Sequence, residues 1–350
     1  MQGESRLRRP TMLQISLERP GHFVAADGPE PVLQRGDALV RVHRIGVCGT
    51  DLHAFAGRQP FFDYPRILGH ELGVEVVDPG DEPNGLKVGD RCSVEPYLTC
   101  GRCVACRRGK TNCCTTLKCL GVHTDGGMRP FIAIPASKLH RSAVLGYDQL
   151  ALVETLGIGA HAVERAEIRS DDFVLVIGAG PIGLSVLQFA LLTGANLAVM
   201  DVSESRLAFA REQLKVPHTV VAAPDAVDRL RAIGGGDLPT IVIDATGNAK
   251  SMTATFDLAA HGGRIVFVGI VQGEITFSDP NLHRRELTLC ASRNATAGTF
   301  REIIRLVEAG RIDTNPWITH RFALVETPGV FPAEIAGNPK VLKAMISVPA

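Results

Sequence analysis

A short stretch in the first half of the chain carries side chains that could bind a metal and move a proton. Cys48 and His70 offer a thiolate and an imidazole, and Glu71 adds a carboxylate. This donor set suits zinc with one coordination position open to a substrate. Thr50 and His53 follow Cys48 closely, and a hydroxyl followed by an imidazole could carry a proton away from the site. The stretch therefore predicts a catalytic metal centre.

Two carboxylates could supply the third ligand of that metal. Glu71 directly follows His70, whereas Glu154 lies in an apolar stretch, where an isolated ionised carboxylate would be costly without a cationic or metal partner. Asp51 could orient the imidazole of His70 from outside the ligand set. Taken alone, a histidine before a glutamate is more often structural, and Glu154 could simply begin a helix. The neighbouring donors favour the metal site, with the choice between Glu71 and Glu154 open.

Five of the nine cysteines lie between residues 100 and 114. Four of them follow the pattern Cys-x2-Cys-x2-Cys-x7-Cys, namely Cys100, Cys103, Cys106 and Cys114. Four thiolates make a closed tetrahedral zinc site with a structural role. An iron–sulfur cluster or a set of buried free cysteines are the alternatives. Cys113 could replace Cys114 only with a shifted loop, and we expect Cys92, Cys119 and Cys290 to be core residues.

A nucleotide-binding fingerprint follows an apolar, strand-like run at residues 173–177. Its residues are Gly178, Gly180, Pro181, Ile182 and Gly183. Glycines between a strand and a helix let backbone N–H groups approach a pyrophosphate at the helix N-terminus. Asp201 ends the next strand-like run and should bind the ribose 2′-hydroxyl, which favours NAD over NADP. Arg206 lies one helical turn further on, where we expect it to flank the adenine.

Later residues complete the candidate cofactor site. Thr246, Val268 and Gly269 follow further strand-like runs, and Arg293 could serve the nicotinamide end of the cofactor or bind the substrate. An alcohol activated by a metal and a cofactor that accepts hydride together indicate a dehydrogenase.

The pattern of the chain changes near Gln149. Before it, short β-branched runs separated by Gly and Pro predict a β-rich, partly barrel-like domain. After it, apolar strands alternate with helices and predict a doubly wound parallel sheet, so the fold class is α/β. Its six predicted strands are 173–177, 197–201, 218–222, 240–244, 264–268 and 286–291. A helix near residues 299–309 and strands at 317–324 and 343–348 should return to the first domain.

Charge and composition exclude several classes of protein. The formal net charge is +0, and aromatic and basic residues do not interleave, which disfavours a nucleic-acid partner or a nucleic-acid zinc module. No apolar run reaches the length of a membrane span, and the basic residues Arg6 to Arg9 lack the apolar core of a signal peptide. We expect a cytoplasmic protein whose residues 1–11 are an extension.

Together these motifs resemble the zinc-dependent medium-chain dehydrogenase/reductase family. Gly46-Val47-Cys48-Gly49-Thr50-Asp51, Gly69-His70-Glu71, the cysteine lobe and the fingerprint occur in the family's order. The resemblance implies a GroES-like catalytic domain at 1–153 and 294–350, with a structural zinc lobe at about 98–115, and a Rossmann domain at 154–293. Val74 departs from the family motif, which has glycine there, whereas here Gly73 precedes it.

Glu154, in place of a third cysteine, resembles the polyol and threonine dehydrogenase branch. The segments 59–65, 110–114, 121–127, 277–280 and 292–296 look like sugar-acid dehydrogenases of the L-galactonate type. The resemblance implies two zinc ions per chain, NAD, a small-molecule polyol or sugar-acid substrate and a dimer or tetramer. It also implies that Thr50 passes the substrate proton through the cofactor ribose to His53, while His123, Arg293 and Asn294 are candidates to bind the substrate.

Other functions remain open at this point. Within the family, a threonine-type or a sorbitol-type dehydrogenase would use the same metal site on a different alcohol. Outside it, a non-catalytic, zinc-stabilised nucleotide-binding protein would have no need of Cys48, His70, Thr50 or His53, and all four are present.

Overall fold

The computed structural model describes residues 11–60 and 62–349. Outside the described residues lie Phe61 and residues 1–10, which include Arg6 to Arg9 and most of the expected extension. By its contacts the chain divides into two compact units, one formed by residues up to 154 with those from 304 onward, the other by Thr155–Ile303.

The first unit is built mainly of strands. They are β1 (Thr11–Arg19), β2 (His22–Pro29), β3 (Asp37–Gly46), β4 (Arg66–Ile67), β5 (Glu71–Asp78), β6 (Arg91–Val94), β7 (Tyr97–Leu98), β8 (Lys118–Cys119), β9 (Phe131–Pro135), β10 (Leu139–Arg141), β17 (Ile318–Ala323) and β18 (Lys343–Ser347). A seven-stranded sheet runs β10-β6-β5-β3-β18-β17, with β9 also paired to β3. The C-terminal strands thus share a sheet with β3, because β18 pairs antiparallel with it. Separate small sheets contain β2-β1-β4 and β7-β8.

The second unit has one sheet in the order β13-β12-β11-β14-β15-β16, and every pair in it is parallel. Its strands are β11 (Phe173–Ile177), β12 (Asn196–Asp201), β13 (His218–Val221), β14 (Ile241–Asp244), β15 (Arg264–Phe267) and β16 (Thr288–Ala291). All five residues of β11 are buried, as expected for a parallel strand covered on both faces. The α/β fold class, with its six-stranded doubly wound sheet, is confirmed.

The helices are α1 (Gly49–Phe55), α2 (Val104–Arg107), α3 (Tyr147–Ala166), α4 (Pro181–Leu191), α5 (Glu204–Gln213), α6 (Ala226–Ile233), α7 (Ala249–Leu258), α8 (Asp279–Arg285), α9 (Ala297–Glu308) and α10 (Thr327–Val330). The strand expected from residue 286 starts at Thr288 instead. Glu286 ends α8 in a left-handed conformation with φ 50°, which cannot continue into a strand. Among the described residues, none of these helices has the length and apolar character needed to cross a membrane.

Candidate metal and nucleotide sites

Helix α1 begins directly after Cys48 and positions the first group of candidate residues. The carboxylate of Asp51 accepts the backbone N–H of Cys48 at 2.8 Å, which fixes the start of the helix around the thiol. Asp51 is fully buried, whereas His53 is exposed on the same helix. The two residues therefore point to opposite environments, Asp51 toward the interior and His53 toward solvent.

His70 lies between β4 and β5, after Gly69, whose φ of +96° suits glycine. His70 is only 4% exposed, and its Nδ1 is 3.9 Å from Asp51 Oδ1, too far for a hydrogen bond. Neither of these two buried atoms has a hydrogen-bond partner in the described part of the chain. Burial alone would lower the pKa of His70, but the Cys48 thiolate and the Asp51 carboxylate raise it well above its ordinary value. The surroundings are thus strongly anionic and favour a bound cation.

Cys48, His70 and Glu71 each offer one donor atom, and these atoms all lie within 4.8 Å of one another. A thiolate, an imidazole and a carboxylate at this spacing fit zinc. Unpartnered buried atoms on His70 and Asp51 agree with a site organised around an ion. The three residues come from the start of α1 and the start of β5, brought together because β3 and β5 pair in one sheet.

Lys343 is a buried cation at this site, and the sequence analysis missed it. Its ammonium donates to both oxygens of Glu71, at 2.7 and 2.8 Å, and to the carbonyl of Val47 at 3.2 Å. Lys343 is 2% exposed and Glu71 is 1% exposed. The only signal in the sequence was a lysine that opens an apolar strand. Its partner lies 272 residues away.

Glu154 occupies the middle of α3 and lies outside the three-residue cluster. The Tyr97 hydroxyl donates to Glu154 Oε1 at 2.5 Å, and both side chains are buried. Burial raises the pKa of Glu154, while the charge of His70 opposes that rise. Tyr97 is the second site residue that the sequence analysis missed, because a single tyrosine before the cysteine lobe has no recognisable spacing.

The structure explains the departure at Gly73 and Val74. A Cβ atom on Gly73 would lie 2.1 Å from the backbone carbonyl oxygen of Tyr147, at the start of α3. Val74 is fully buried in the core. The glycine therefore stands where the backbone at the start of α3 leaves no room for a side chain on β5, and the neighbouring valine fills the interior.

The four candidate structural ligands form one cluster. The sulfur atoms of Cys100, Cys103, Cys106 and Cys114 lie within 4.8 Å of one another. Backbone N–H groups donate to three of these sulfurs at 3.3 to 3.5 Å. The N–H of Cys106 is the main reason that the pKa of Cys103 falls to about 5. Such N–H contacts stabilise thiolates, the form that binds zinc. Cys113 is exposed and lies outside the cluster.

The other three cysteines differ in environment. Cys92 is fully buried as expected, but Cys119 and Cys290 are only half-buried, so the expectation that they are core residues was wrong for these two. Cys290 lies on β16, an edge strand of the parallel sheet, where one side lacks a neighbouring strand in the described chain. Cys119 pairs with Tyr97 across β7 and β8, and its backbone N–H donates to His123 Nδ1 at 3.1 Å.

The fingerprint forms a tight turn between β11 and α4. Gly178 has φ +97°, and a Cβ on Gly183 would lie 1.7 Å from the Gly178 carbonyl oxygen, so both positions require glycine. A Cβ on Gly180 would meet only Arg206 Nη1, at 3.8 Å, which leaves room for a phosphate beside the backbone. Pro181 and Ile182 open α4 beside this space, and Pro181 suits the first helical position.

Asp201 ends β12 next to the fingerprint. One carboxylate oxygen accepts the Ala179 N–H at 2.6 Å and the other accepts the Ser203 N–H at 2.8 Å. The side chain is therefore fixed beside the glycine turn. Each carboxylate oxygen has a further lone pair with which it could accept a ribose hydroxyl.

Thr246, Val268 and Gly269 follow β14 and β15 at the carboxyl edge of the same sheet, where nucleotides bind in doubly wound folds. The Thr246 hydroxyl donates to the buried Asp244 at 2.7 Å. Arg293 is exposed just after β16, and Asn294 beside it has φ +53°.

Comparison with known proteins agrees with both units. The family model "Alcohol dehydrogenase GroES-like domain" matches residues 34–145, and "Zinc-binding dehydrogenase" matches residues 181–309. An L-galactonate-5-dehydrogenase of Escherichia coli K12 is 39% identical over 337 residues, which cover 96% of this chain and 99% of that protein.

Two solved structures are similar over nearly the whole chain. A short chain alcohol dehydrogenase of Escherichia coli CFT073 complexed with NADH has a TM-score of 0.87 at 28% identity, covering 96% of this chain and 99% of that one. A putative zinc-binding dehydrogenase of Sinorhizobium meliloti 1021 bound to NADP has a TM-score of 0.87 at 29% identity, covering 97% and 100%.

Proposed function

The chain belongs to the zinc-binding alcohol dehydrogenase family, and from this we propose that it oxidises a secondary alcohol of a sugar acid or polyol, with NAD as the hydride acceptor. The observation that carries the proposal is the convergence of Cys48, His70 and Glu71 within 4.8 Å, in a chain 39% identical to an L-galactonate-5-dehydrogenase. The class of enzyme follows from the family, and the substrate and the residue roles are our proposal.

Cys48 and His70 would hold the catalytic zinc together with one carboxylate. Lys343 already neutralises Glu71 through both oxygens, and an ammonium beside a zinc ligand would repel the ion. Glu154 lies outside the 4.8 Å cluster, but its charge acts on both His70 and Glu71. We therefore propose Glu154 as the resting third ligand, with the clustered Glu71 available for exchange. When bound, zinc supplies a Lewis acid that lowers the pKa of the substrate hydroxyl, and NAD supplies the hydride acceptor.

The proton of the substrate hydroxyl would leave through Thr50 and His53. Partial burial of the ring and the charge of Arg58 lower the pKa of His53, so its ring is neutral near pH 7 and able to accept a proton. Asp51, which caps α1 through the Cys48 N–H, would keep Thr50 and His53 in place beside the thiolate. His123, Arg293 and Asn294 are the candidates to bind the hydroxyls or carboxylate of the substrate.

A substrate screen tests the proposal. L-galactonate, other aldonates, sorbitol and L-threonine would each be offered to the zinc-loaded protein with NAD, with NADH formation followed by absorbance. We expect the highest kcat/KM with an aldonate and no turnover in the matched Cys48→Ser protein. Activity confined to L-threonine would replace the sugar-acid assignment with the threonine-type alternative, and no turnover with any alcohol would contradict the proposed function.

A further inference from the structure

Tyr97 and Glu154 form a buried pair close enough to the metal-binding cluster for the Glu154 charge to act on His70 and Glu71. The phenol donates to Glu154 Oε1 at 2.5 Å, with Tyr97 2% and Glu154 4% exposed. A buried carboxylate needs donors or a cation to offset the lost hydration. A neutral hydroxyl gives one hydrogen bond without supplying positive charge, so it fixes the carboxylate and leaves its negative charge for a metal ion.

The neighbouring carboxylate is held in a different way. Lys343 donates to both oxygens of Glu71 and brings a full positive charge. The site thus contains one carboxylate with a cationic partner and one with a neutral donor. This difference makes Glu154 the carboxylate that is both oriented and still attractive to a cation.

Tyr97 is itself held firmly in place. It lies on β7, which pairs antiparallel with β8, and its register partner there is Cys119. The backbone N–H of Leu120 donates to the Pro96 carbonyl at 3.1 Å beside that pair. The hydroxyl is therefore anchored by a short two-stranded ribbon and not by a mobile loop.

We propose that Tyr97 is a positioning residue for Glu154, and that its hydroxyl sets the orientation in which this carboxylate meets the catalytic metal ion. The inference rests on the proposed function, since it requires zinc at Cys48 and His70. Partners that orient metal-binding carboxylates typically affect metal affinity by ~10–100-fold. Removing the hydroxyl should weaken metal retention by a comparable factor.

The chain offers a closely matched control. Its three tyrosines include Tyr147, whose hydroxyl donates to Glu75 Oε2 at 3.1 Å, away from the metal cluster. Tyr147 also opens α3, the helix that carries Glu154. Tyr97→Phe and Tyr147→Phe therefore delete the same kind of hydrogen bond, and only the first deletes it at Glu154.

The experiment measures zinc release to an excess of chelator. A release phase that is present in the unmodified protein but absent from Cys48→Ser belongs to the catalytic zinc. We expect Tyr97→Phe to accelerate this phase ~10–100-fold and to shift the visible spectrum of the cobalt-loaded protein. The melting temperature should fall by only a few degrees, since one buried hydrogen bond is lost. Tyr147→Phe should match the unmodified protein in release and spectrum.

A second variant tests whether Tyr97 acts through Glu154. Glu154→Gln alone should accelerate release, and adding Tyr97→Phe to it should change the rate by less than about twofold, because the shared partner is already altered. Three results would overturn this inference but leave the proposed function intact. They are unchanged zinc release in Tyr97→Phe, an equal change in Tyr147→Phe, and a full additional effect of Tyr97→Phe in the double variant. Absence of a Cys48-dependent zinc from the unmodified protein would overturn the proposed function and this inference with it.

Discussion

Asp51 and His53 lie two residues apart on α1, and their environments differ sharply. Full burial raises the pKa of Asp51, while partial burial of the ring and the charge of Arg58 lower the pKa of His53. His53 is exposed and Asp51 is not. One turn of helix thus presents a residue that can support the metal site and a residue that can exchange protons with solvent.

The proposed proton path predicts a large effect of His53→Ala. Turnover at neutral pH should fall ~10²–10⁴-fold, the usual contribution of general acid–base assistance, with little change in NAD affinity. Because the pKa of His53 lies below 6.5, the unmodified enzyme should lose activity only as the pH falls through that lowered value. Steady-state kinetics across pH should show this loss of activity at acid pH in the unmodified enzyme and not in His53→Ala. The exposed His22→Ala is the control, and an unchanged rate and pH profile in His53→Ala would mean that protons leave elsewhere.

Asp201 should determine the preference for NAD. Its two carboxylate oxygens accept the N–H groups of Ala179 and Ser203, so Asp201→Asn keeps one of these two acceptors while removing the charge. Because contact between like charges costs a few kcal/mol, we expect the gap between NAD and NADP in kcat/KM to narrow roughly 10–100-fold. Asp225→Asn, on an exposed ion pair, should leave the gap unchanged. Equal use of both cofactors by the unmodified enzyme would contradict the role of Asp201.

At the scale of elements, the cysteine lobe has little apolar core of its own, and neither α2 nor the turn at Thr111–Cys113 buries a hydrophobic side chain. Its stability should therefore come from the metal. Cys100→Ser should lose one of two zinc equivalents and lower the melting temperature by about 10 °C. The reason is that the loss should cost a few kcal/mol of stability, and each kcal/mol lowers the melting temperature of a domain of roughly 200 residues by ~2–4 °C.

Metal analysis and calorimetry would test the prediction for the lobe. The neighbouring Cys113→Ser removes an exposed thiol outside the cluster and should change neither quantity. Cys48→Ser should lose the other zinc and nearly all activity while keeping the melting temperature. If Cys48→Ser unfolds the protein and Cys100→Ser only inactivates it, the structural and catalytic assignments are reversed.

The elements that sequence patterns predicted share one physical property. Strands such as β11 and β12 are buried on both faces and appear as continuous apolar runs, so their positions could be read directly. The short helix α8 has no buried residue and three basic residues in its last turn, and it carries no apolar period to find. Because α8 ends only at its cap residue Glu286, the last strand of the sheet begins at Thr288.

The candidate site divides in the same way. Cys48, His70 and the cysteine cluster could be predicted because chemistry fixes their types and, in the lobe, their spacing. Lys343 and Tyr97 could not, because their roles depend on partners 272 and 57 residues away. Such pairings arise from sheet topology, which brings β18 next to β3 and β7 close to α3, and no local pattern encodes them.

At the scale of the whole molecule, acid should destabilise the fold through Glu95. This carboxylate is 1% exposed, 2.5 Å from Lys138 Nζ and 3.1 Å from His140 Nε2. Burial would raise the pKa of Glu95, but the His140 hydrogen bond and the charge of Lys138 outweigh burial and lower it. A lowered carboxylate pKa stabilises the fold above the unfolded value of about 4.5, and the contribution disappears as the pH falls through the folded value.

Urea unfolding between pH 7 and pH 3.5 would measure this contribution. Glu95→Gln should be less stable than the unmodified protein at pH 7 by about 3–5 kcal/mol, because it leaves Lys138, whose side chain is only 14% exposed, without its charged partner. The difference between the two proteins should shrink toward acid pH. Glu82→Gln, which loses an exposed ion pair with Arg35, should change stability by less than about 1 kcal/mol at any pH. A constant difference for Glu95→Gln across the range would show that Glu95 does not sense acid.

The ribbon β7–β8 closes the loop that carries the four-cysteine cluster, since β7 ends just before Cys100 and β8 begins just after Cys114. An ion bound by the four cysteines would therefore also hold the two ends of the loop at the distance that the ribbon requires. Tyr97 stands at that closure, with its hydroxyl on Glu154. Loss of that ion would thus weaken the fold of the lobe and, through Tyr97, the orientation of Glu154 in the other site, so dehydrogenase activity should follow zinc supply more steeply than the occupancy of one site alone.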